Sequence, residues 1–383
     1  MHFLTDEQMQ FKNELRRFVD AEMRPAAAEL DRSAAYPAAL FARLGQLGYL
    51  DAAFLSDSSE TRYNALEGTI IIEEVSRGLA SLGLIISPQF QCCDVISMVG
   101  SDALKREVLA PARRGETLLA FALTEASGGS DALGIDTTAL RSGDHWVLNG
   151  TKCWITSAGV ADGYIVGART SAFGRSRSVS LFYVPASAPG LHVFERKQMM
   201  GMRSSPMGMI AFEDCVIPAD YILGAENDAY RLIKPMLNEG RLDMAAIAVG
   251  IGQAALEASV HYTSSIGQYG RSLSSYQSIS FSVADMFTKI TTSRNSLYHV
   301  ASLFDAHRPC STEAAALKLF ATESCCEVCN AARQIHGASG LSQPSEVERL
   351  FRDSQMLTTA EGTSEICKIV ISNAMYSHRP ENY

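Results

Sequence analysis

The sequence predicts an α+β protein of three domains, helical at both ends with a β-barrel or sandwich between them. Three observations carry that expectation. Apolar residues recur at helical spacing to about residue 118, the period falls to two from Leu119, and long helical stripes return after about Asp228. The expected domains are therefore 1–118, 119–227 and 228–383. A chain of 383 residues also exceeds what one core usually supports, so two or three domains sharing a large interior follow from length alone.

In the first block Thr5 and Gln8 form a capping box, and Phe11, Leu15, Phe18, Val19 and Met23 follow at helical spacing before Pro25. Further helices are expected over Pro37–Leu47, Ala65–Gly78 and Ala103–Ala112, with a loop around Ser56–Ser59. The middle block reads as seven short strands: Leu119–Leu123, Thr138–Leu140, His145–Leu148, Tyr164–Ala168, Val179–Val184, His192–Phe194 and Met209–Phe212. Ser142-Gly143-Asp144, Asn149-Gly150 and Ala188-Pro189-Gly190 read as turns between them. In the last block Ile279, Val283, Met286, Ile290, Leu297, Val300 and Phe304 alternate four and three apart, interrupted only by Ser293. Such a stripe suits an antiparallel helical bundle.

Composition bounds the function. The formal net charge is −9, from 33 basic and 42 acidic residues, which argues against wholesale nucleic-acid or anionic-membrane binding. Thr5-Asp6-Glu7-Gln8 places acid and polarity where a signal peptide is basic and then apolar, so none is expected. No uninterrupted apolar run approaches the ~18 residues of a membrane span. Nine cysteines, an odd number, point to reduced thiols and a cytoplasmic setting. Cys92-Cys93, and Cys325-Cys326 with Cys329, invite a metal reading. No histidine or further cysteine pair follows at zinc-ligand spacing, so they are expected as core thiols and no metal is expected.

The most informative stretch is Thr359-Ala360-Glu361-Gly362-Thr363-Ser364-Glu365-Ile366, where an apolar helix (Leu350, Phe351, Met356, Leu357) gives way to a turn. Gly362 permits backbone geometry and close approach that a Cβ forbids. Thr363 and Ser364 can cap the helix that resumes near Ile366. A carboxylate on such a turn reads either as a helix-capping acid on a surface loop or as a partly desolvated general base with a raised pKa.

The rest of the chain decides between them, because it resembles an acyl-CoA dehydrogenase over essentially its whole length. The resemblance rests on five motifs in order. They are Phe121-Ala122-Leu123-Thr124-Glu125-Ala126-Ser127-Gly128-Gly129-Ser130-Asp131, and Asn149-Gly150-Thr151-Lys152-Cys153-Trp154-Ile155-Thr156. Met202-Arg203-Ser204-Ser205 with Phe212, Asp214, Val216 and Pro218 follows, then Gln334-Ile335-His336-Gly337-Ala338-Ser339-Gly340. Arg352-Asp353 through Glu361-Gly362-Thr363 completes the set. The fold implied is an N-terminal α-domain, a middle β-domain and a C-terminal four-helix bundle.

The activity implied is FAD-dependent desaturation of a short- or medium-chain acyl thioester. Glu361 takes the α-proton, the β-hydride passes to flavin N5, and an electron-transferring flavoprotein receives the electrons. By this resemblance Trp154 walls the flavin, although alone it reads equally as barrel core, and Thr124 and Thr156 bond the flavin edge, although alone they read as strand formers. Phe121, Leu123, Gly129, Ser130 and Ile155 join the cofactor set, with the Ser127–Ser130 loop offering N–H groups to phosphate. Tyr269, Gln277, Thr363 and Glu365 are implied cofactor contacts. Gln334, Ile335, Gly337 and Ala338 are implied to reach a neighbouring subunit's pyrophosphate, which makes a homodimer or homotetramer expected. His336 is expected as a packing residue. Ser130, Asn238, Arg241 and Gly362 are implied substrate contacts. Arg241 reads either as a charge partner or as a solvated helix arginine. Some members place the base one residue before Arg241; here that residue is Gly240.

Departures from the pattern suggest a specialised member. Ile266 stands where the family has an arginine on the pyrophosphate, with Arg271 no obvious replacement. Ala126 replaces a loop proline, and Ala360 is smaller than the tyrosine often found before the base. Asp57-Ser58-Ser59-Glu60-Thr61 replaces a Gly-rich loop. Alternatives remain: the same chemistry on an acyl or aminoacyl carrier-protein thioester, an oxygen-using oxidase, or a non-catalytic flavin-fold protein.

Overall fold

The computed structural model describes residues 4–56, 61–171 and 178–377. Helix α1 (Asp6–Phe18) begins on the Thr5/Gln8 capping box, with both reciprocal bonds formed. Pro25 does not end the helical run. A π turn at Val19–Met23 leads directly into α2 (Arg24–Ser33), where proline occupies the first turn and its missing N–H leaves no partner unmet. Then come α3 (Ala38–Gln46), α4 (Tyr49–Ala52), a two-stranded pair β1 (Phe54–Ser56) and β2 (Thr61–Tyr63), and α5 (Ala65–Gly78), which starts on the Asn64 side chain. Of the loop expected around Ser56–Ser59, Ser56 ends β1 and the rest lies outside the described residues.

Helix α6 (Ala80–Val99) was not expected at all. It is buried on nearly every side and carries Pro88 inside, so it shows no amphipathic period to read. The expected third helix is instead α7 (Asp102–Leu104), a π turn and α8 (Ala110–Arg113) in succession.

The β domain comprises β3 (Leu119–Ala122), β4 (Thr138–Ser142), β5 (His145–Thr156), β6 (Gly163–Arg169), β7 (Val179–Pro185), β8 (Leu191–Arg196), β9 (Met207–Pro218) and β10 (Ile222–Leu223). They form one mixed eight-stranded sheet in the order β10-β7-β6-β4-β5-β9-β8, with β3 parallel to β6. One expected turn is wrong. Asn149-Gly150 lies inside β5 at a register shift, because Gly150 runs with φ +146° against Thr137, where a Cβ would lie 2.7 Å from the Thr137 Cα. A glycine of that kind marks a bulge as readily as a turn.

The last block is α9 (Ala229–Ser265), the hairpin β11 (Gly267–Gln268) and β12 (Arg271–Ser272), α10 (Gln277–Asp305), α11 (Ser311–Ile335), α12 (Glu346–Ser354) and α13 (Ser364–Ser377). Helices α9, α10 and α11 pack on one another, with α5 against α9 and α13 against α11. Of the α10 stripe, Met286, Ile290, Leu297 and Val300 are buried and Ile279, Val283 and Phe304 half-buried, whereas Phe281 and Phe287, off the stripe, are exposed. Helices α6 and α9 are long and apolar enough to cross a membrane by length and composition, but 83% and 72% of their apolar windows are buried inside the protein. They are its central core helices.

Two polar devices tie the parts together. Lys12, Glu73, Glu74, Arg77, Arg294 and Tyr298 form a buried network linking α1, α5 and α10, with Lys12–Glu73 at 2.7 Å and Arg294–Glu73 at 2.8 Å. Two of the sequence motifs meet physically at the second. The Met202 N–H donates to Asp353, Gly201 rests on the backbone of Arg352, and Arg352 forks onto Asp31 and Glu348. The Arg352-Asp353 pair thus latches the β domain to α12.

Candidate active site

Glu361 sits on the turn between α12 and α13 with φ +52°, followed by Gly362 at φ +96°. Left-handed geometry at a non-glycine residue costs about 1 kcal/mol or more and persists only where its surroundings hold it. Here the holder is Lys318 on α11. Its fully buried Nζ donates to the carbonyls of Gly362 (2.7 Å) and Thr358 (3.2 Å), on either side of Glu361. Thr363 caps α13 by accepting from the Ile366 N–H at 3.3 Å. Among the described residues the Glu361 N–H has no acceptor. The turn therefore aims both a carboxylate and a free N–H away from its own backbone.

The carboxylate lies on Gly240. A Cβ built there would fall 2.7 Å from Glu361 Cδ and 2.9 Å from Cγ, so only glycine leaves room. Burial pushes the Glu361 pKa up to about 7, opposed by the charges of Arg241 and Lys318. Arg241 is buried, not solvated. It donates to Asn238 Oδ1 at 2.7 Å, Asn238 donates to Ser311, and the Arg241 Nε has no partner among the described residues. The surface-cap reading of Glu361 and the solvated reading of Arg241 both give way to this geometry. Glu365, by contrast, is exposed and points its charge at the first turn of α13.

A second cluster lies on the β domain. The long strand β5 is irregular between Lys152 and Ile155, and Trp154 there adopts φ +57°, which turns its indole outward to 54% exposure. Trp146 fills the core instead. The Cys153 N–H donates to the Thr124 carbonyl at 2.9 Å, which sets Thr124 beside this strand, and Thr156 ends it half-buried. Leu123 and Ile155 are core side chains, and Phe121 is half-buried. The loop carrying Gly129 and Ser130 is exposed, and their N–H groups have no acceptor among the described residues. Missing from the sequence reading is the clamp beneath it. Buried Glu125 pairs with Lys152 at 2.7 Å and accepts from the Asp136 and Thr137 N–H groups. Burial lowers the Lys152 pKa to about 8 despite that ion pair, whereas Glu125 is lowered by Lys152 against its own burial.

The third set stands apart. Gln334, Gly337 and Ala338 are exposed and Ile335 half-buried at the end of α11, beside buried His336, whose ring packs on Tyr262 and whose Nδ1 lies 2.8 Å from the Ala332 carbonyl. Tyr269 is 95% exposed on the β11–β12 hairpin, and Gln277 is exposed at the start of α10. Arg271 stacks on Tyr276 at 4.0 Å, and Ile266 is exposed at the end of α9. No hydrogen bond or ion pair among the described residues joins this set to the Thr124–Thr156 cluster. The nine cysteines are free thiols, all buried except Cys326, which is half-buried.

The site thus combines an outward indole, a backbone loop with unspent N–H donors and a half-buried carboxylate near neutrality. The acyl-CoA dehydrogenase N-terminal, middle and C-terminal domain families match residues 5–116, 120–215 and 228–376. The human mitochondrial short-chain specific acyl-CoA dehydrogenase is 36% identical over 358 residues, 93% of this chain and 87% of that one. Butyryl-CoA dehydrogenase from Megasphaera elsdenii superposes with a TM-score of 0.93 at 32% identity, covering 97% of this chain and 99% of that one. A chain in the structure of the electron transferring flavoprotein of Acidaminococcus fermentans gives 0.95 at 33% identity, covering 98% and 99%. This protein belongs to the acyl-CoA dehydrogenase family. It is an FAD-dependent oxidoreductase of acyl-CoA dehydrogenase type.

Proposed function

We propose that this chain desaturates a short- or medium-chain acyl-CoA, with the Glu361 carboxylate removing the α-proton. The observation that carries the reading is the seat of Glu361, which is half-buried against Gly240 on a turn held by Lys318, with its pKa raised to about 7. A base of that strength is matched to proton transfer near neutral pH. FAD, when bound, supplies the hydride acceptor for the β-carbon. The free Glu361 N–H is a donor for the thioester oxygen, where negative charge grows as the α-proton leaves; such donors are typically worth ~3 kcal/mol. Arg241 and Lys318 stabilise the carboxylate before it takes the proton.

We assign Phe121, Leu123, Thr124, Gly129, Ser130, Trp154, Ile155, Thr156, Thr363 and Glu365 to the cofactor. Ser130, Asn238, Arg241 and Gly362 are assigned to the thioester. Gln334, Ile335, Gly337, Ala338, Tyr269 and Gln277 are assigned to a cofactor shared across a subunit contact. Their separation from the Thr124–Thr156 cluster, and the exposed Phe281 and Phe287 on α10, support that arrangement. Short chain length and an electron-transferring flavoprotein as acceptor rest on the relatives described above.

The test is anaerobic bleaching of the bound flavin by butyryl-CoA. Glu361→Gln should keep flavin and bind thioester but lose reduction by 10²-fold or more, about the worth of a positioned base. Undiminished single-turnover reduction in that variant would refute the assignment. Sedimentation of the flavin-loaded protein tests the shared site, and a monomer carrying full flavin would remove it.

A further inference from the structure

Most deeply buried carboxylates of this protein have a cation beside them. Asp31 has Arg352, Glu73 has Lys12 and Arg294, Glu74 has Arg77, and Glu125 has Lys152. Glu239 and Asp243 have none. They are 4% and 0% exposed, and no cationic side chain among the described residues lies within ion-pair distance of either. Four residues apart on α9, they share one face of that helix. Asp94, on α6, adds a third carboxyl close enough to act on Glu239, and it too has no ion pair among the described residues.

The uncharged groups around them are also incomplete. Ser87 donates to Asp243 Oδ2 at 2.8 Å, and Gln91 donates to Ser87 at 3.2 Å. That leaves Asp243 Oδ1, Glu239 Oε1, the Gln91 Oε1 and the Tyr63 hydroxyl buried with no hydrogen-bond partner among the described residues. With the two acids ionised, three of these four are pure acceptors. Gln91 is fully buried and its amide lies beside Asp243, so its idle carbonyl faces the same place. Buried acceptors left unpaired are costly, and so many converging at one place call for a missing donor.

We infer that this cluster binds a cationic nitrogen carried on the acyl group of the substrate, a protonated amine a few atoms from the reacting carbons, as in an aminoacyl thioester. The inference rests on the dehydrogenase reading and names its substrate class. Position supports it, because Glu239 directly precedes Gly240, on which the Glu361 carboxylate sits. An ammonium supplies two or three N–H donors and one positive charge, which matches the idle acceptors. A metal ion fits less well, since among the described residues no three acidic, histidine or cysteine groups are placed to hold one. A plain alkyl chain leaves the acceptors dry and unpaired. An acyl group bearing a carboxylate cannot stabilise the ionised form of these acids. Without ligand, burial favours the protonated acids, raising Asp243 to about 8, Asp94 to about 6 and Glu239 well above its ordinary value, and a cation beside them favours the ionised form.

The experiment compares isosteric CoA thioesters by anaerobic flavin reduction in the holoenzyme. Prolyl-CoA and cyclopentanecarbonyl-CoA differ by one ring NH₂⁺ in place of CH₂, and 4-aminobutyryl-CoA and pentanoyl-CoA form the linear pair; butyryl-CoA is the reference. In at least one pair the cationic member is expected to reduce flavin about 10-fold or more faster at limiting concentration, since sites with buried polar groups discriminate strongly against analogues that leave them unpaired. Asp243→Asn and Glu239→Gln should each collapse that ratio, with flavin occupancy measured alongside as a check on folding. If the neutral member is equal or faster in both pairs while flavin still bleaches, the inference falls and the dehydrogenase reading stands. If no thioester bleaches the flavin, butyryl-CoA included, the dehydrogenase reading falls and takes the inference with it.

Discussion

Gly240 and Glu361 are packed against each other so tightly that a methyl group on Gly240 would lie 2.7 Å from the Glu361 Cδ. The helix α9 backbone is therefore one wall of the seat that holds the carboxylate. A side chain at 240 and the present position of Glu361 are mutually exclusive.

Gly240→Ala should consequently act on chemistry more than on fold. Alanine favours the helix by about 1 kcal/mol over glycine, but the Glu361 carboxylate has to move. We expect flavin to be retained, thermal stability to be little changed and flavin reduction to fall on the order of 10²-fold, the cost of a misplaced reacting group. Single-turnover reduction at the wild-type rate would show that the carboxylate works from another position.

The pH dependence follows from the raised Glu361 pKa. The base acts only when ionised, so the reduction rate should rise through about pH 7 and level off above it. Stability runs the other way. The folded protein holds this proton up to about 7 and the unfolded chain only to about 4.5, so between those values folding is favoured by protonation and the contribution is lost as pH rises. Glu361→Gln should therefore raise the Tm more at pH 8 than at pH 5, and its residual rate should lack the step near pH 7. Equal Tm differences at the two pH values would contradict the raised carboxyl pKa.

Lys318 should position the base without touching substrate. Lys318→Met leaves the Thr358 and Gly362 carbonyls without their buried donor, a loss of roughly 1–3 kcal/mol in stability. It also removes a positive charge that lowers the Glu361 pKa, so the inflection of the rate profile should move above 7. A profile that stays in place while Tm falls would make Lys318 a purely structural residue.

Ile266→Arg should raise flavin occupancy. Ile266 is exposed at the end of α9, and Arg271 nearby is already stacked on Tyr276. A charge-assisted hydrogen bond to pyrophosphate contributes roughly 1.5–3 kcal/mol, so the variant should bind flavin about tenfold more tightly or better. Full flavin content in the native protein, with no tighter binding in the variant, would show that another group fills the role.

Local chemistry made much of this protein legible in one dimension. The capping box at Thr5 and Gln8, the Ala65–Gly78 helix and the Glu361-Gly362-Thr363 turn each depend on neighbours within a few residues, and so they read directly from the sequence. Helix α6 did not, because a helix buried all round has no polar face to give it a period. Nor did Asn149-Gly150, where the same glycine geometry serves a bulge as well as a turn. What only the tertiary structure decided is the environment of each charge. Lys318, Gly240, Glu125 with Lys152, and the unpaired Glu239 and Asp243 acquire meaning from partners distant in sequence. Burial and the presence or absence of a counter-ion set their charge state and cost, and neither is a property of a residue taken alone.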